Sequence, residues 1–164
     1  MATSHPKWVQ RKRSEKFPFL RFFDQLPKEK TMKIIDIEGI GPVYADKLYK
    51  IGIRSVEVLL NKGASEKGRK EISKATGVTH TAILEWVNRA DLYRIKGIGS
   101  QYSDLLEKAG VDTVVELSNR VPDNLYAKMI EVNKAKNLTN KLPGIKQVRK
   151  WVAQAKKLPK VVTY

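Results

Sequence analysis

The sequence contains no cysteine and only two histidines, His5 and His80. A disulfide framework, a thiolate nucleophile and a zinc ribbon are therefore excluded, and two histidines alone cannot build a metal site. No stretch approaches the roughly 18 uninterrupted apolar residues that a membrane-spanning helix needs. The first residues also lack the apolar core of a secretion signal. We therefore expect a cytoplasmic protein that has no cofactor and does not contact a membrane.

Acidic residues are scarce relative to basic ones. The 164 residues include 32 lysines and arginines against 17 aspartates and glutamates, which gives a formal net charge of +15. Such a charge attracts polyanions, either nucleic acid or an anionic membrane surface. The first cations precede any acidic residue, so import into an organelle stays open as a lesser alternative to the cytoplasm.

An internal repeat organises the chain, because residues 37–48 (IEGIGPVYADKL) return as residues 95–106 (IKGIGSQYSDLL). The match continues in register, and more loosely in a tryptophan helix, through three further pairs: Gly52 and Gly110, Val56 and Val114, Trp86 and Trp151. Repeated blocks of this size are typical of supersecondary units that bury their apolar faces against each other. The pattern predicts three parts: a basic aromatic arm (1–31), a first repeat (32–94), and a second repeat with a C-terminal helix (95–164).

Both repeats are predicted to be helical. Val43, Leu48 and Ile51 follow the spacing of a buried helical stripe, and Gly52 is suited to end that helix in the left-handed conformation. Thr79 stands where an N-cap would open the next tryptophan helix. Since no stretch alternates apolar and polar residues between turn signals, we expect an all-α fold in which two repeats share one core.

Each repeat begins with two glycines that bracket one apolar residue. This pattern allows a tight turn between helices, with the apolar side chain inserted into the core. Because the next helix begins at once, its unpaired N–H groups and its dipole favour an anion such as a phosphate. Two segments have the pattern: Gly39, Ile40, Gly41 and Gly97, Ile98, Gly99.

These segments resemble the hairpin of the helix-hairpin-helix family, whose turn contacts the phosphate backbone of duplex DNA without base specificity. Residues 34–164 more closely resemble a family catalogued only as a domain of unknown function and formed from duplicated helix-hairpin-helix units. The resemblance implies a cation a few residues into the second helix of each hairpin. Lys47 fills that role in the first repeat, whereas the second repeat has Lys108 slightly later.

The second turn has the more favourable side chains for phosphate. Lys96 stands before it where Glu38 stands before the first turn, and Ser100 offers a hydroxyl where the first repeat has Pro42. Other cations follow Gly144 and are either a second contact with the polymer or a solvated helix face. They are Lys146, Arg149 and Lys150.

The N-terminal arm interleaves cations with aromatic residues, a mixture typical of segments that neutralise phosphates and stack on bases, most often of RNA. Its phenylalanine-rich end, residues 17–23, either stacks in this way or folds back onto the helical core. The cations that we assign to phosphate contact are Lys7, Arg11, Lys12 and Arg13.

We therefore expect non-sequence-specific binding of duplex DNA or structured RNA, as part of a nucleoid, a ribosomal particle or another ribonucleoprotein or chromatin complex. Catalysis is not expected, because the sequence has no paired carboxylates in a metal setting, no Ser/His/Asp arrangement and no phosphate loop. The alternative function is a protein-interaction adaptor, in which Tyr44, Tyr102 and nearby apolar residues form a docking surface.

Overall fold

The computed structural model describes residues 32–164, and this part of the chain is all-α, as the sequence predicts. Within it, β pairing is limited to an isolated bridge between Lys33 and Ser55. None of the helices in these residues has the length and apolar character needed to cross a bilayer. After a short 3-10 turn at Ile34–Asp36, the helices are α1 Pro42–Lys50, α2 Val56–Gly63, α3 Glu66–Thr76, α4 His80–Leu92, α5 Ser100–Lys108, α6 Val114–Ser118, α7 Pro122–Lys136 and α8 Ile145–Ala155.

Side-chain caps and glycines set several helix ends. The Thr79 hydroxyl accepts a hydrogen bond from the backbone N–H of Ala82 and so opens α4, as predicted. Gly52 follows α1 with a φ of 82°, which confirms the predicted left-handed stop. The next amide, that of Ile53, then donates back to the carbonyl of Leu48 at 2.9 Å.

The same aromatic contact occurs in each half of the helical unit. The rings of Tyr44 and Trp86 lie 5.3 Å apart with a tilt of 55°, and those of Tyr102 and Trp151 lie 5.4 Å apart with a tilt of 54°. Both tryptophans are buried. Each half therefore packs its first long helix against a later helix through a matching pair of aromatic rings.

The prediction for Val43 is wrong, because its side chain is 68% exposed. In α1 the buried residues are Ala45 and Leu48. Successive residues in an α-helix are about 100° apart, which puts Val43 on the opposite side from both of them. An apolar side chain at the start of α1 is consequently left in solvent.

Residues 159–164 pack against the corner between α2 and α3. The backbone N–H of Thr163 donates to the carbonyl of Ala64 at 2.8 Å, and Val162 is buried. Arg69 of α3 donates to the Thr163 carbonyl at 2.6 Å. The end of the described chain is thus joined to helices nearly a hundred residues earlier.

Candidate functional site

The second glycine turn exposes its main chain at the start of α5. Gly97 is exposed and has a φ of 94°, a region that side-chain-bearing residues rarely adopt. Gly99 is the N-cap of α5, no side-chain hydrogen bond caps the helix there, and the place of a Cβ on Gly99 is open space. Ile98 is buried beneath the turn, as predicted. The first amides of α5 therefore have neither an intrahelical partner nor a side-chain cap among the described residues.

The first turn has the same backbone geometry. Gly39 has a φ of 90°, Ile40 is buried, and Gly41 is an N-cap without a side-chain hydrogen bond and with open space around it. Pro42 then occupies the first position of α1, where it has no N–H to offer. The first turn consequently has one backbone donor fewer than the second turn, where Ser100 stands at that position.

A tryptophan ring lies directly behind each turn. A Cβ on Gly39 would be 3.2 Å from Nε1 of Trp86, and a Cβ on Gly97 would be 3.2 Å from Nε1 of Trp151. Two features therefore favour glycine at both positions: the positive φ and the close approach of an indole ring. These contacts hold the two turns in the same relation to their tryptophan helices.

Helix α8 borders the second turn through two glutamines. Gln154 accepts the backbone N–H of Lys96 at 2.7 Å, so the protein itself occupies one of the amides near the turn. Nε2 of Gln147 lies 3.4 Å from the place of a Cβ on Gly97. The sequence interpretation missed both residues. Their spacing of four and three from Trp151 could have placed them on the face of α8 that meets the turn.

Lysines line the solvent side of α8 next to this face. Lys146 and Lys150 are one helical turn apart and exposed, and Lys157 follows just past the end of the helix. We call these three residues the α8 lysine row. At about 100° per residue, the row lies on the solvent side of α8, roughly 40° to 100° around the helix from the two glutamines. Lys96, beside the second turn, is likewise exposed.

Arg149 of α8 has a partner within the protein. It forms an exposed ion pair with Asp123 of α7 at 2.9 Å. Of the three cations that were predicted to act together after Gly144, Arg149 is therefore paired with an acidic residue of α7, while Lys146 and Lys150 lie one helical turn apart on α8.

The charges around the two turns differ. The glycine turns and the aromatic contacts each align one part of the two halves, and these alignments pair three cations near the second turn with a neutral or acidic residue near the first. The pairs are Lys96 with Glu38, Lys146 with Thr81, and Lys150 with Glu85. Two turns with the same backbone geometry therefore have different charges at these aligned positions.

The remaining predicted cations are dispersed. Lys47 is exposed and lies over the ring of Tyr44, with Nζ 5.9 Å from the ring centroid. Lys108 is exposed on α5, and its Nζ lies 3.9 Å from a carboxylate oxygen of Glu107. The four arm residues, Lys7, Arg11, Lys12 and Arg13, lie outside the described residues.

Arg89 of α4 connects the first turn to α5. Its guanidinium donates to the backbone carbonyl of Glu38 at 2.7 Å and, through Nε, to the carboxylate of Glu107 at 2.8 Å. Asp104 is a further acidic neighbour at 3.5 Å. The side chain is almost fully buried, so its charge is compensated inside the protein and does not face a ligand.

Residues 32–164 contain no group of three or more histidine, aspartate or glutamate side chains that could hold a metal ion.

The family model for a domain of unknown function, DUF4332, matches residues 38–158. Among curated proteins, an adenylosuccinate synthetase of Endomicrobium trichonymphae is 28% identical over 108 residues, which are 65% of this chain and 25% of that enzyme. The matched segment thus spans a quarter of that relative, and no activity is inferred from it. No solved structure matches.

Proposed function

Because this chain belongs to the DUF4332 family, a domain of unknown function, we propose its function from the geometry of its turns. The protein binds the sugar-phosphate backbone of nucleic acid without base specificity, and the second turn is the main contact. Main-chain amides at Gly97, Gly99 and Ser100 hold one phosphate, while nearby lysines neutralise the phosphates that flank it. No catalytic step is part of this proposal.

One observation supports this proposal most strongly. The second turn combines an exposed main chain with the exposed side chain of Lys96, and α8, whose glutamines border the turn, carries the exposed lysines of the α8 lysine row. The open space at Gly99 permits the close approach of a phosphate oxygen to the first amides of α5. The corresponding face of the first turn lacks these cations and has Glu38 instead.

The recurring contacts support the interpretation of the chain as tandem helix-hairpin-helix repeats. A positive-φ glycine, a buried isoleucine, an uncapped glycine and a tryptophan behind the turn occur in both halves. The exposed main chain of such a turn can contact phosphate but not base edges. It therefore suits duplex DNA in a nucleoid or structured RNA in a ribosomal particle.

Protein docking is the second candidate function, and the first turn favours it more than the second. Tyr102 is half-buried, and its hydroxyl donates to the carbonyl of Lys141 at 3.0 Å, so this ring is engaged within the protein. Tyr44 is 42% exposed and makes no such bond among the described residues. An adaptor function would therefore use the first turn.

A matched pair of glycine substitutions tests the proposal. Gly99→Ala and Gly41→Ala each add a methyl group in open space at an ordinary backbone conformation, so the two variants should differ little in melting temperature. If α5 holds a phosphate, the methyl group at Gly99 crowds it. We expect Gly99→Ala to raise the Kd for a mixed-sequence duplex about tenfold, by fluorescence anisotropy, with a less than roughly twofold effect of Gly41→Ala.

The charge at the second turn is tested in the same assay. Lys96→Glu should weaken binding evenly across unrelated sequences and lower the slope of log Kd against log salt by about one. The backbone N–H of Lys96 that bonds Gln154 is kept in this variant, so the fold is preserved. Unchanged affinity in both Lys96→Glu and Gly99→Ala would exclude the second turn as the main contact. No salt-dependent binding of the wild type to duplex DNA or RNA would exclude the function itself.

A further inference from the structure

An apolar patch is exposed where α1 begins. Val43 is 68% exposed and Tyr44 is 42% exposed, and Pro42 beside them is also exposed. Ile35, in the 3-10 turn that packs on α1, is a further exposed large apolar residue at 42%. We call Pro42, Val43 and Tyr44 the α1 patch. Three consecutive apolar residues in solvent are unusual at a helix start and indicate an interaction surface.

The corresponding surface of α5 is partly covered by the protein itself, since Ser100 and Tyr102 are half-buried although Gln101 is exposed. The hydroxyl of Tyr102 donates to the carbonyl of Lys141, and the hydroxyl of Thr139 donates to Oε1 of Gln101 at 3.2 Å. Both partners come from the connection between α7 and α8, which spans residues 137–144. The connection between α3 and α4 is only residues 77–79, and the described chain has no equivalent cover over the α1 patch.

The charge distribution favours a second copy of the chain as the occupant of the α1 patch. The chain has a net charge of +15, so two copies repel each other over most of their surfaces. Residues 33–50 are an exception, since their three lysines balance three acidic residues. Asp46 and Lys50 already pair with each other at 3.1 Å. An apolar patch within a segment of zero net charge is a place where a second copy meets little electrostatic repulsion.

We infer that the α1 patch is a self-association surface, through which two copies of this chain form a two-fold symmetric dimer. In such a contact the same patch faces itself, so Glu38 of one copy can meet a lysine of the other, such as Lys47. The two second turns of the dimer would then be free to bind one polymer together. Self-association does not depend on the proposed nucleic-acid binding and is measured without nucleic acid.

Val43→Glu in the full-length chain tests the dimer. A carboxylate at the second position of α1 suits the helix dipole, so the variant should fold as well as the wild type. Across a two-fold contact it places like charges together on an apolar surface. We expect sedimentation velocity to show that the wild type forms a dimer. The Kd for dimer dissociation should be at least tenfold higher in Val43→Glu. Gln101→Glu is the matched control, at the same position of α5, and should leave the Kd unchanged.

A mixture of charge variants tests the two-fold arrangement. Val43→Lys alone should also be monomeric, whereas an equimolar mixture with Val43→Glu should recover association, because opposite charges then face each other. Two results overturn the inference: a wild-type chain that is monomeric at every concentration, or a Val43→Glu chain that dimerises as tightly as the wild type. Failure of the mixture to associate would overturn the self-facing geometry. Reduced dimerisation with unchanged affinity per chain for a short duplex would leave the proposed function intact.

Discussion

Asp112 lies half-buried before α6, among other acidic residues. Burial raises the pKa of its carboxyl above the ordinary value, and repulsion by Glu116, Glu107 and Glu85 raises the pKa further. The folded protein therefore holds the ionised carboxylate less well than the unfolded chain does. The resulting loss of stability is absent below the ordinary pKa of 3.8 and is complete once the pH has risen through the folded-state pKa.

Asp112→Asn should consequently stabilise the protein at neutral pH, because an amide cannot carry the unfavourable charge. We expect a melting temperature about 2 °C higher at neutral pH, a modest value for a partly solvated group, measured by circular dichroism. The gain should shrink as the pH is lowered toward the ordinary pKa of the carboxyl. Asp123→Asn is the control, since Asp123 has a favourable partner in Arg149 and its removal should give no gain at any pH. An equal gain at acidic and neutral pH would contradict the electrostatic cause.

At the scale of residues, sequence predicted the features that local chemistry determines. The glycine turns, the Thr79 cap and the buried Ile40 and Ile98 follow from backbone freedom and hydrogen bonding within a few positions. The predicted burial of Val43 was wrong, because the spacing of apolar residues in a short helix is compatible with more than one buried face. The neighbouring elements determine which face is buried.

Among the elements, the segment at residues 159–164 depends on one buried cation. Arg69 is 1% exposed and donates to three carbonyls: Gly63 at 2.9 Å, Ala64 at 3.0 Å and Thr163 at 2.6 Å. No carboxylate within 4.0 Å pairs with it among the described residues. Its stabilising effect therefore depends on these charge-assisted hydrogen bonds, which join α3, the end of α2 and the returning segment.

Arg69→Met should loosen this junction. The apolar side chain keeps much of the packing volume but removes three charge-assisted hydrogen bonds, including the one to the buried carbonyl of Gly63, so we expect a loss of about 3 kcal/mol, or roughly 10 °C in melting temperature. Lys70→Met is the control at the next position, where an exposed ion pair with Glu66 contributes little. Similar small losses in the two variants would show that the hydrogen bonds to the returning segment do not stabilise the fold.

The presence of helices could largely be predicted from the sequence, but the contacts between helices far apart in the chain could not. Helical spacing and caps indicated an all-α chain, and the repeat indicated two matching turns. The return of residues 159–164 to α3 and the cover of Tyr102 by the α7–α8 connection join segments far apart in sequence. No local pattern encodes such pairings, because they depend on how the helices pack.

At the scale of the whole molecule, duplication gives two turns of the same shape and charge divergence gives them different surroundings. Lys96 precedes the second turn and α8, which borders that turn, carries Lys146 and Lys150, whereas the first turn has Glu38 and an exposed apolar patch. Under the two proposals, one unit carries a phosphate-binding surface and a self-association surface, and a dimer presents two phosphate-binding surfaces. Bivalent binding of this sort raises affinity on a long polymer without any new contact to it.

The arm, residues 1–31, lies outside the described residues, and its function is tested by deletion in the whole protein. Removal of residues 1–16 takes away the cations from Lys7 to Lys16 together with Trp8, the mixture that suits unpaired bases as well as phosphates. We expect the deletion to weaken binding to structured RNA by about tenfold and binding to duplex DNA by less, since a duplex offers no exposed base faces for stacking. Lys96→Glu in the same titrations should weaken both polymers alike, because it acts on the phosphates they share. A larger loss on duplex DNA than on RNA would contradict the assignment of the arm, because the lost contact would then be electrostatic and indifferent to bases.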